Sequence, residues 1–225
     1  LVENITGQTE DDSVALTALK ERSETRFFVP EKGWDIHHVI IKNVMTRAFS
    51  GAQLRLLCAD GTRVHDICAD TLVDTSPAQA WQTSVFLGYA ILAEYIRERT
   101  SVRGEMTNIS ISNVFSNSHR AILAGCALEN LRITNLHCRR DVRHAVMTEN
   151  IAELNACLID GVFCEEGACR DAIFSFCKDT QGALQIKNVY AQETECVVRN
   201  EGALNVELEN CRVERITGAL HARGK

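Results

Sequence analysis

Residues 113–125 read NVFSNSHRAILAG and contain three parts: an Asn that closes an apolar alternating run, a short polar turn, and a small residue that opens a second apolar run. The same three parts recur along the chain. The residues that close the first runs are Asn4, Asn43, Thr71, Asn113, Asn135, Gly161, Asn188 and Asn210. Most intervals between them are 22 to 28 residues, and a repeat of this length is typical of a solenoid.

The runs have the period and composition of β-strands. Ile and Val recur at every second position, whereas the 3.6-residue period of helical repeats and the dominant Leu of leucine-rich repeats are missing. We therefore predict an all-β fold, a right-handed parallel β-helix of about eight coils. Like positions of successive coils stack in such a fold, so we expect the Asn column to form a structural ladder of hydrogen bonds.

The second run of each unit opens, in most units, at a small residue. These residues are Ser13, Gln53, Ser84, Ala121, Ala145, Ala172, Cys196 and Ala219. We predict one domain, residues 1–225, with insertions at 20–34 and 76–105, the latter including a short helix from Tyr89 to Ser101. Nothing before Leu1 would cover the end of the stack, so we expect earlier coils to be missing or supplied by another chain.

Composition excludes several classes of function. The chain has 225 residues, 45% of them apolar, and a net charge of −6. Its Lys and Arg residues are scattered, so we expect no nucleic-acid partner. No apolar run approaches the roughly 18 residues of a membrane span, so we expect no membrane partner either.

Ten cysteines are many for this length, and their spacing matches no zinc motif. Reduced thiols in strand interiors are the favoured interpretation, with some disulfides or metal ligation as alternatives, and Cys164 and Cys169 are the closest cluster in sequence. Reduced thiols favour the cytoplasm; a signal sequence before Leu1 would instead indicate secretion.

The segment NITGQTEDDSVALTAL, residues 4–19, resembles the polygalacturonase-type glycoside hydrolases of the pectin-lyase-like β-helix superfamily. That family has a GDD motif followed by a Cys or small residue, which Glu10, Asp11, Asp12 and Ser13 match in part. Later runs such as ISISNV and LQIKNV are similar to the superfamily in general. The resemblance implies a parallel β-helix and hydrolysis of a polysaccharide.

Asp11 and Asp12 are the candidate catalytic residues. Hydrolysis of a glycosidic bond needs two carboxyl groups, one to protonate the leaving oxygen and one to act as base or nucleophile. Two adjacent carboxylates repel each other, which would raise one pKa as a general acid requires. A solvated turn is the alternative interpretation.

A second polar group immediately precedes the second runs of three successive units. If the coils stack in register, one patch contains His119, Arg120, Arg143, His144, Arg170 and Asp171. Arg side chains suit the carboxylates of acidic sugars, and His titrates near neutral pH. We predict a substrate-binding patch here, with a ladder of surface ion pairs as the alternative.

An apolar column is expected on the outer face of the second strands. Alternation directs Phe86, Leu123, Met147, Phe174 and Val198 outward if their preceding neighbours face inward. Apolar residues on both faces indicate that both faces are covered, by the 76–105 insertion, by a missing segment or by another subunit. A homo-oligomer or a docked loop is the favoured interpretation.

His37 and His38 are neighbours before a strand. Because neighbouring strand residues face opposite ways, we expect that the two do not bind one ion from one face. No metal site and no cofactor is predicted.

The sequence therefore predicts a carbohydrate-active enzyme that acts on a polysaccharide, a glycoside hydrolase of polygalacturonase-like type, with a carbohydrate partner that includes acidic oligosaccharides. The alternative is a non-catalytic glycan-binding or structural β-helix module that oligomerises. The family's GHG and RIK motifs have no counterpart near Gly51 and Thr83, which favours this alternative. A lyase or epimerase ranks third.

Overall fold

The computed structural model of this protein describes residues 1–19, 34–77, 80–89, 96, 98–149, 152–218 and 221–223. This part of the chain is all-β and contains no helix. The odd-numbered strands are β1 (Val2–Thr9), β3 (Ile36–Ala48), β5 (Val64–Asp74), β7 (Met106–Ser116), β9 (Ala127–Cys138), β11 (Ala152–Cys164), β13 (Thr180–Thr194) and β15 (Ala203–Ile216). The even-numbered strands are β2 (Val14–Ala18), β4 (Ala52–Cys58), β6 (Ala80–Leu87), β8 (Ser118–Ala124), β10 (His144–Thr148), β12 (Ala172–Phe176), β14 (Cys196–Asn200) and β16 (His221–Arg223).

The strands form two sheets, and all strand pairs in both are parallel. One sheet has the order β1-β3-β5-β7-β9-β11-β13-β15 and the other the order β2-β4-β6-β8-β10-β12-β14-β16. The chain thus adds one strand to each sheet in turn, an arrangement consistent with a parallel β-helix. In the described part of the chain, no helix has the length and apolar character of a membrane span.

The predicted Asn column is confirmed. Its eight residues, Asn4 to Asn210, all have positive φ, between 53° and 80°, and the flanking strand residues pair in the expected register. Asn135 Nδ2 donates to Asn113 Oδ1 (3.1 Å), and Asn43 Nδ2 donates to Asn4 Oδ1 (3.1 Å). Asn suits this column because its short polar side chain tolerates the left-handed conformation and bonds along the stack.

Where the column holds Thr71 or Gly161, the preceding Asp takes over the ladder. Asn113 Nδ2 donates to Asp70 Oδ1 (2.7 Å), and Asn188 Nδ2 donates to Asp160 Oδ1 (2.7 Å). Hydrogen bonds from Ser112 and Asn113 lower the pKa of Asp70. The Asn that follows each of these two units therefore still has a side-chain acceptor in the unit before it.

A second left-handed column lies five residues before the first and was not predicted. Its members are His38, Asp66, Asn108, Asn130 and Ala156. Asn130 Nδ2 donates to Asn108 Oδ1 (2.8 Å), and Asn108 Nδ2 donates to Asp66 Oδ1 (2.9 Å). The strands β3, β5, β7, β9 and β11 are thus bent twice, as left-handed residues bend a β-strand.

The bends explain why apolar residues on both sides of the Asn column face inward. In a straight strand, residues two before and one after a given position would face opposite ways. Here Ile133 and Leu136, on either side of Asn135, are both 0% exposed. They belong to one main core cluster to which both sheets contribute.

The register of the even-numbered sheet matches the prediction in all described steps but one. Val146 pairs with Phe174, so Ala145 lies opposite Ile173 and not opposite Ala172 as predicted. The connection from Cys164 to its next strand accommodates two more residues than the connection from Cys138, and it does so with left-handed turns at Gly167 and Cys169. The alignment on the small residue Ala172 was therefore wrong by one position.

This shift corrects the predicted outer column. Phe174 and Val198 are 0% exposed and belong to the main core cluster, so the prediction that they face outward was wrong. The outer column instead runs through Arg55, Phe86, Leu123, Met147 and Ser175. Leu123 is also buried, which leaves Phe86 and Met147 as the half-buried members of the predicted interface.

Part of the 76–105 insertion covers the outer face. The Tyr89 ring meets the Phe86 ring edge-on with centroids 4.7 Å apart, and Ile96 packs on Leu57 in a second small cluster. Arg99 forms a bidentate ion pair with Glu105. The backbone amide of Arg99 donates a hydrogen bond to Asp60 Oδ1 (2.8 Å). The predicted helix falls mainly on residues 90–95 and 97, outside the described residues, as does the 20–34 insertion apart from Trp34.

Candidate functional site

A groove of about 550 Å³ lies along the outer face of the even-numbered sheet. Asp11 and Asp12, just before β2, lie at one end, and Glu149, just after β10, lies at the other. Four strand-to-strand steps separate β2 from β10, so the groove extends over about 19 Å along the stack. We refer to this feature as the groove.

Asp12 is held firmly at one end of the groove. Its Oδ2 lies 3.0 Å from Arg55 Nε, and its Oδ1 accepts a hydrogen bond from the amide of Ala52 (2.8 Å). The Asp12 side chain is 6% exposed and that of Arg55 is 16% exposed. Both oxygens of the Asp12 carboxyl therefore contact protein groups and hold the side chain in place.

Asp11 lies beside Asp12 and is exposed to solvent. Its Oδ1 accepts from the amide of Asp12 (2.9 Å), and its carbonyl accepts from Thr9 Oγ1 (2.6 Å). The predicted catalytic pair therefore consists of one side chain open to the groove and one that is enclosed by protein.

Gly51 makes room for both carboxylates. A Cβ on Gly51 would lie 2.7 Å from Asp11 Oδ1 and 2.6 Å from Asp12 Oδ1. The two oxygens are therefore at most about 5.3 Å apart, which is shorter than the separation of the two carboxyl groups in inverting glycosidases. Any larger residue at position 51 would displace one of them.

The middle of the groove is lined by apolar and cationic side chains. Phe86, Tyr89 and Leu123 supply the apolar wall, and Arg55 and Arg120 supply positive charge. Phe86 and Arg55 lie on neighbouring strands at paired positions, so their side chains extend from the same face. Such a surface fits a ligand with apolar faces and negative groups.

Glu149 is a groove residue that the sequence reasoning missed. Burial raises the pKa of its carboxyl, while the nearby Arg120 acts in the opposite direction. It lies about 19 Å along the stack from Asp11, too far for the two to act on one glycosidic bond. Because Glu149 follows the end of β10 and belongs to no repeated column, no sequence pattern would have marked it.

The structure divides the predicted His/Arg patch. Arg120 lines the groove, whereas Arg143, Arg170 and Asp171 line a separate cavity of about 450 Å³. His144 pairs with Arg120 across the β8–β10 step as predicted. The one-residue shift at β12 places His144 opposite Ala172 instead of Asp171.

Both histidines of the patch are kept neutral by their surroundings. Burial and the positive charges of Arg143 and Arg120 lower the pKa of His119. Burial also lowers the pKa of His144, whose Nδ1 lies 2.9 Å from the carbonyl oxygen of Ala172 and donates to it. These side chains therefore act as neutral hydrogen-bonding groups at pH 7, and the arginines carry the charge.

His37 and His38 point to the same side of their strand, so the prediction of opposite faces was wrong. His38 has a φ of 56°, and this left-handed bend interrupts the alternation. The two Nδ1 atoms are 2.6 Å apart, and the His37 ring stacks on His65 at 5.0 Å. His65 in turn pairs with Asp66 at 2.6 Å.

No protein-family model, no curated protein and no solved structure matches this chain. The resemblance to polygalacturonase-type enzymes is thus limited to the residues around Asp11 and Asp12 and to the repeated strands.

Proposed function

We propose that this protein is a carbohydrate-active enzyme, a glycoside hydrolase of polygalacturonase-like type, which holds an acidic polysaccharide in the groove. The observation that carries the proposal is the position of Asp11 and Asp12, with oxygens within about 5.3 Å, at the end of a groove lined by Arg55 and Arg120. Two carboxyls and a cationic binding surface are the parts that such a reaction needs.

In this proposal the two carboxyls have different tasks. Asp12, paired with Arg55, supplies the negative charge beside the cationic transition state of the sugar. Asp11, which is exposed, protonates the leaving oxygen.

The strand order supports the fold that we propose with this function. Alternate strands enter the two sheets without exception, as in a right-handed parallel β-helix of the pectin-lyase-like kind with about eight coils. Outer faces of parallel strands then align like positions along the axis, which suits an extended polymer. Phe86, Leu123 and Arg120 occupy such aligned positions.

The test is release of reducing ends from polygalacturonate and related acidic polysaccharides. We expect Asp11→Asn to reduce kcat by about 100- to 10,000-fold and leave the fold intact, since its side chain is exposed. Arg120→Ala should raise KM with a smaller effect on kcat, because it binds substrate away from the reacting bond. Glu153→Gln is a matched control: this half-buried carboxyl lies outside the groove, and an amide still accepts from Asn155. Full activity of Asp11→Asn would overturn the assignment.

A non-catalytic glycan-binding module is the second candidate. The ion pair between Asp12 and Arg55 favours this candidate, because it engages one of the two candidate catalytic carboxyls and one of the two arginines of the groove. Binding of acidic oligosaccharides by the wild-type protein, lost in Arg120→Ala and unaccompanied by any release of reducing ends, would support this candidate over the enzyme.

A further inference from the structure

Three cysteine side chains meet in the core, away from the groove. Cys138 ends β9, Cys164 ends β11, and Cys169 lies in the connection to β12. Their sulfur atoms all lie within 4.8 Å of one another, and the residues are 0%, 1% and 0% exposed. We refer to these residues as the thiol triad.

The backbone holds the three thiols together. Cys138 and Cys164 occupy paired positions on neighbouring strands, so their side chains stack on one face. Cys169 has a φ of 51°, a conformation that is unfavourable for a residue with a side chain. Its amide donates to the carbonyl of Val142 (2.7 Å), and its carbonyl accepts from Thr194 Oγ1 (2.8 Å). These bonds fix Cys169 in the position that brings its sulfur to the other two.

The spacing of the triad suits one small ion at its centre. The sulfurs are at most 4.8 Å apart, and at that limit the point equidistant from all three lies about 2.8 Å from each, whereas a metal–thiolate bond is about 2.3 Å. Each sulfur would thus move by about 0.5 Å or less to bind, which is a rotation of the side chain and not a change of fold. Simple packing of apolar thiols does not require that all three sulfurs face one point.

The number and type of ligands select the ion. Structural zinc sites have four protein ligands, and catalytic zinc sites add a water molecule. Among the described residues the group contains three ligands, and its burial leaves no access for water as a fourth. Thiolates select soft ions, of which Cu(I) accepts three sulfur ligands.

We propose that Cys138, Cys164 and Cys169 form a three-thiolate binding site for a single Cu(I) ion. Three S–H bonds lose their protons to solvent as three Cu–S bonds form, with no change of oxidation state. The two connections that flank the site, residues 139–143 and 165–171, carry four Arg and four acidic residues, so they add no net charge beside the complex. The ion would enter from the 450 Å³ cavity, which Gly167, Arg170 and Asp171 of the second connection line.

The test uses reduced protein under anaerobic conditions, with Cys68, Cys177 and Cys211 replaced by Ser to remove the more accessible thiols. This background protein is titrated with Cu(I) against a chelator of known affinity. We expect one Cu(I) per chain, X-ray absorption from three sulfur neighbours, and affinity about 100-fold or more weaker after Cys138→Ser or Cys164→Ser. Cys126→Ser is the matched control, because Cys126 is equally buried but lies outside the triad.

Two results would overturn the proposal: no Cu(I) bound in competition with the chelator, or equal affinity in the triad variants and Cys126→Ser. If a triad variant does not fold, mass spectrometry of the background protein decides. Cu(I) should protect three thiols, those of the triad, from alkylation when the chain is opened with mild denaturant. Protection of other cysteines, or of none, would contradict the site.

Discussion

Glu149 shows how burial alters the chemistry of one side chain. It is half-buried at the end of the groove, and the loss of hydration raises the pKa of its carboxyl above the usual 4.5. The folded protein therefore binds this proton more tightly than the unfolded chain does. A group of this kind costs stability when it ionises.

Replacing Glu149 by Gln should stabilise the protein at neutral pH. With a raised folded pKa, the stability contribution of Glu149 is complete below its unfolded pKa and is lost as pH rises through the folded pKa. Gln has no such loss. The Tm of Glu149→Gln should therefore match that of the wild type at pH 4 and below and exceed it at pH 7. Thermal unfolding at several pH values over this range measures the difference.

Glu153→Gln serves again as the control, because it replaces a half-buried carboxyl that lies outside the groove. If Glu149→Gln shows no gain at neutral pH, burial does not raise the pKa of Glu149. The same variant should bind acidic oligosaccharides more tightly at pH 7, because it removes a negative charge from the groove.

At the scale of the strand, the left-handed columns set the shape of the molecule. Asn113 takes part in three ways: it has a φ of 55°, it donates to Asp70, and it accepts from Asn135. These roles can be separated by substitution. Gly tolerates the left-handed conformation but cannot form the side-chain hydrogen bonds, whereas Ala neither tolerates the conformation nor forms the bonds.

We expect Asn113→Ala to reduce the free energy of unfolding by about 2 to 3 kcal/mol, from the left-handed conformation and the two lost hydrogen bonds. Asn113→Gly should cost about 1 kcal/mol less, because it relieves the backbone. Urea unfolding measures both. Equal stabilities of the two variants would show that the backbone conformation contributes nothing and that the hydrogen bonds alone maintain the ladder.

The sequence could predict the first column but not the second, for a physical reason. Asn recurs in the first column because few other residues both tolerate positive φ and bond along a stack. In the second column, His38, Asp66 and Ala156 share a conformation but no chemical property. Because the left-handed conformation recurs here without a recurring residue type, a search for repeated residues does not find this column.

The candidate site was predictable only in part for a similar reason. Asp11 and Asp12 are adjacent in sequence and match a motif, and the structure brings them to a groove. The His/Arg patch depended on the register of successive strands, and a one-residue error at Ala172 displaced two of its six residues, Arg170 and Asp171. The groove wall depends on Tyr89, which packs from an insertion with no repeated pattern.

For the whole molecule, stability should vary along the stack. In a solenoid each unit contacts only its neighbours, so a central strand has two partners and an edge strand has one. Ile133 on β9 and Leu208 on β15 occupy equivalent positions two residues before the Asn column. Ile133 is 0% exposed, whereas Leu208 is half-buried and lies on the edge strand of the described sheet.

Replacement of these two side chains by Ala should therefore reduce the free energy of unfolding by unequal amounts. Ile133→Ala removes a fully enclosed side chain and should cost about 3 to 4 kcal/mol, whereas Leu208→Ala should cost about 1 kcal/mol because solvent already reaches it. Amide exchange should show the same gradient, with β15 exchanging faster than β9 under native conditions. Because both substitutions remove side chains of equal size from the same column, position along the stack is the variable that differs. Equal costs and uniform exchange would mean that β15 is covered in solution, by more of the same stack or by a second copy, and a mass measurement on the same sample separates these two causes.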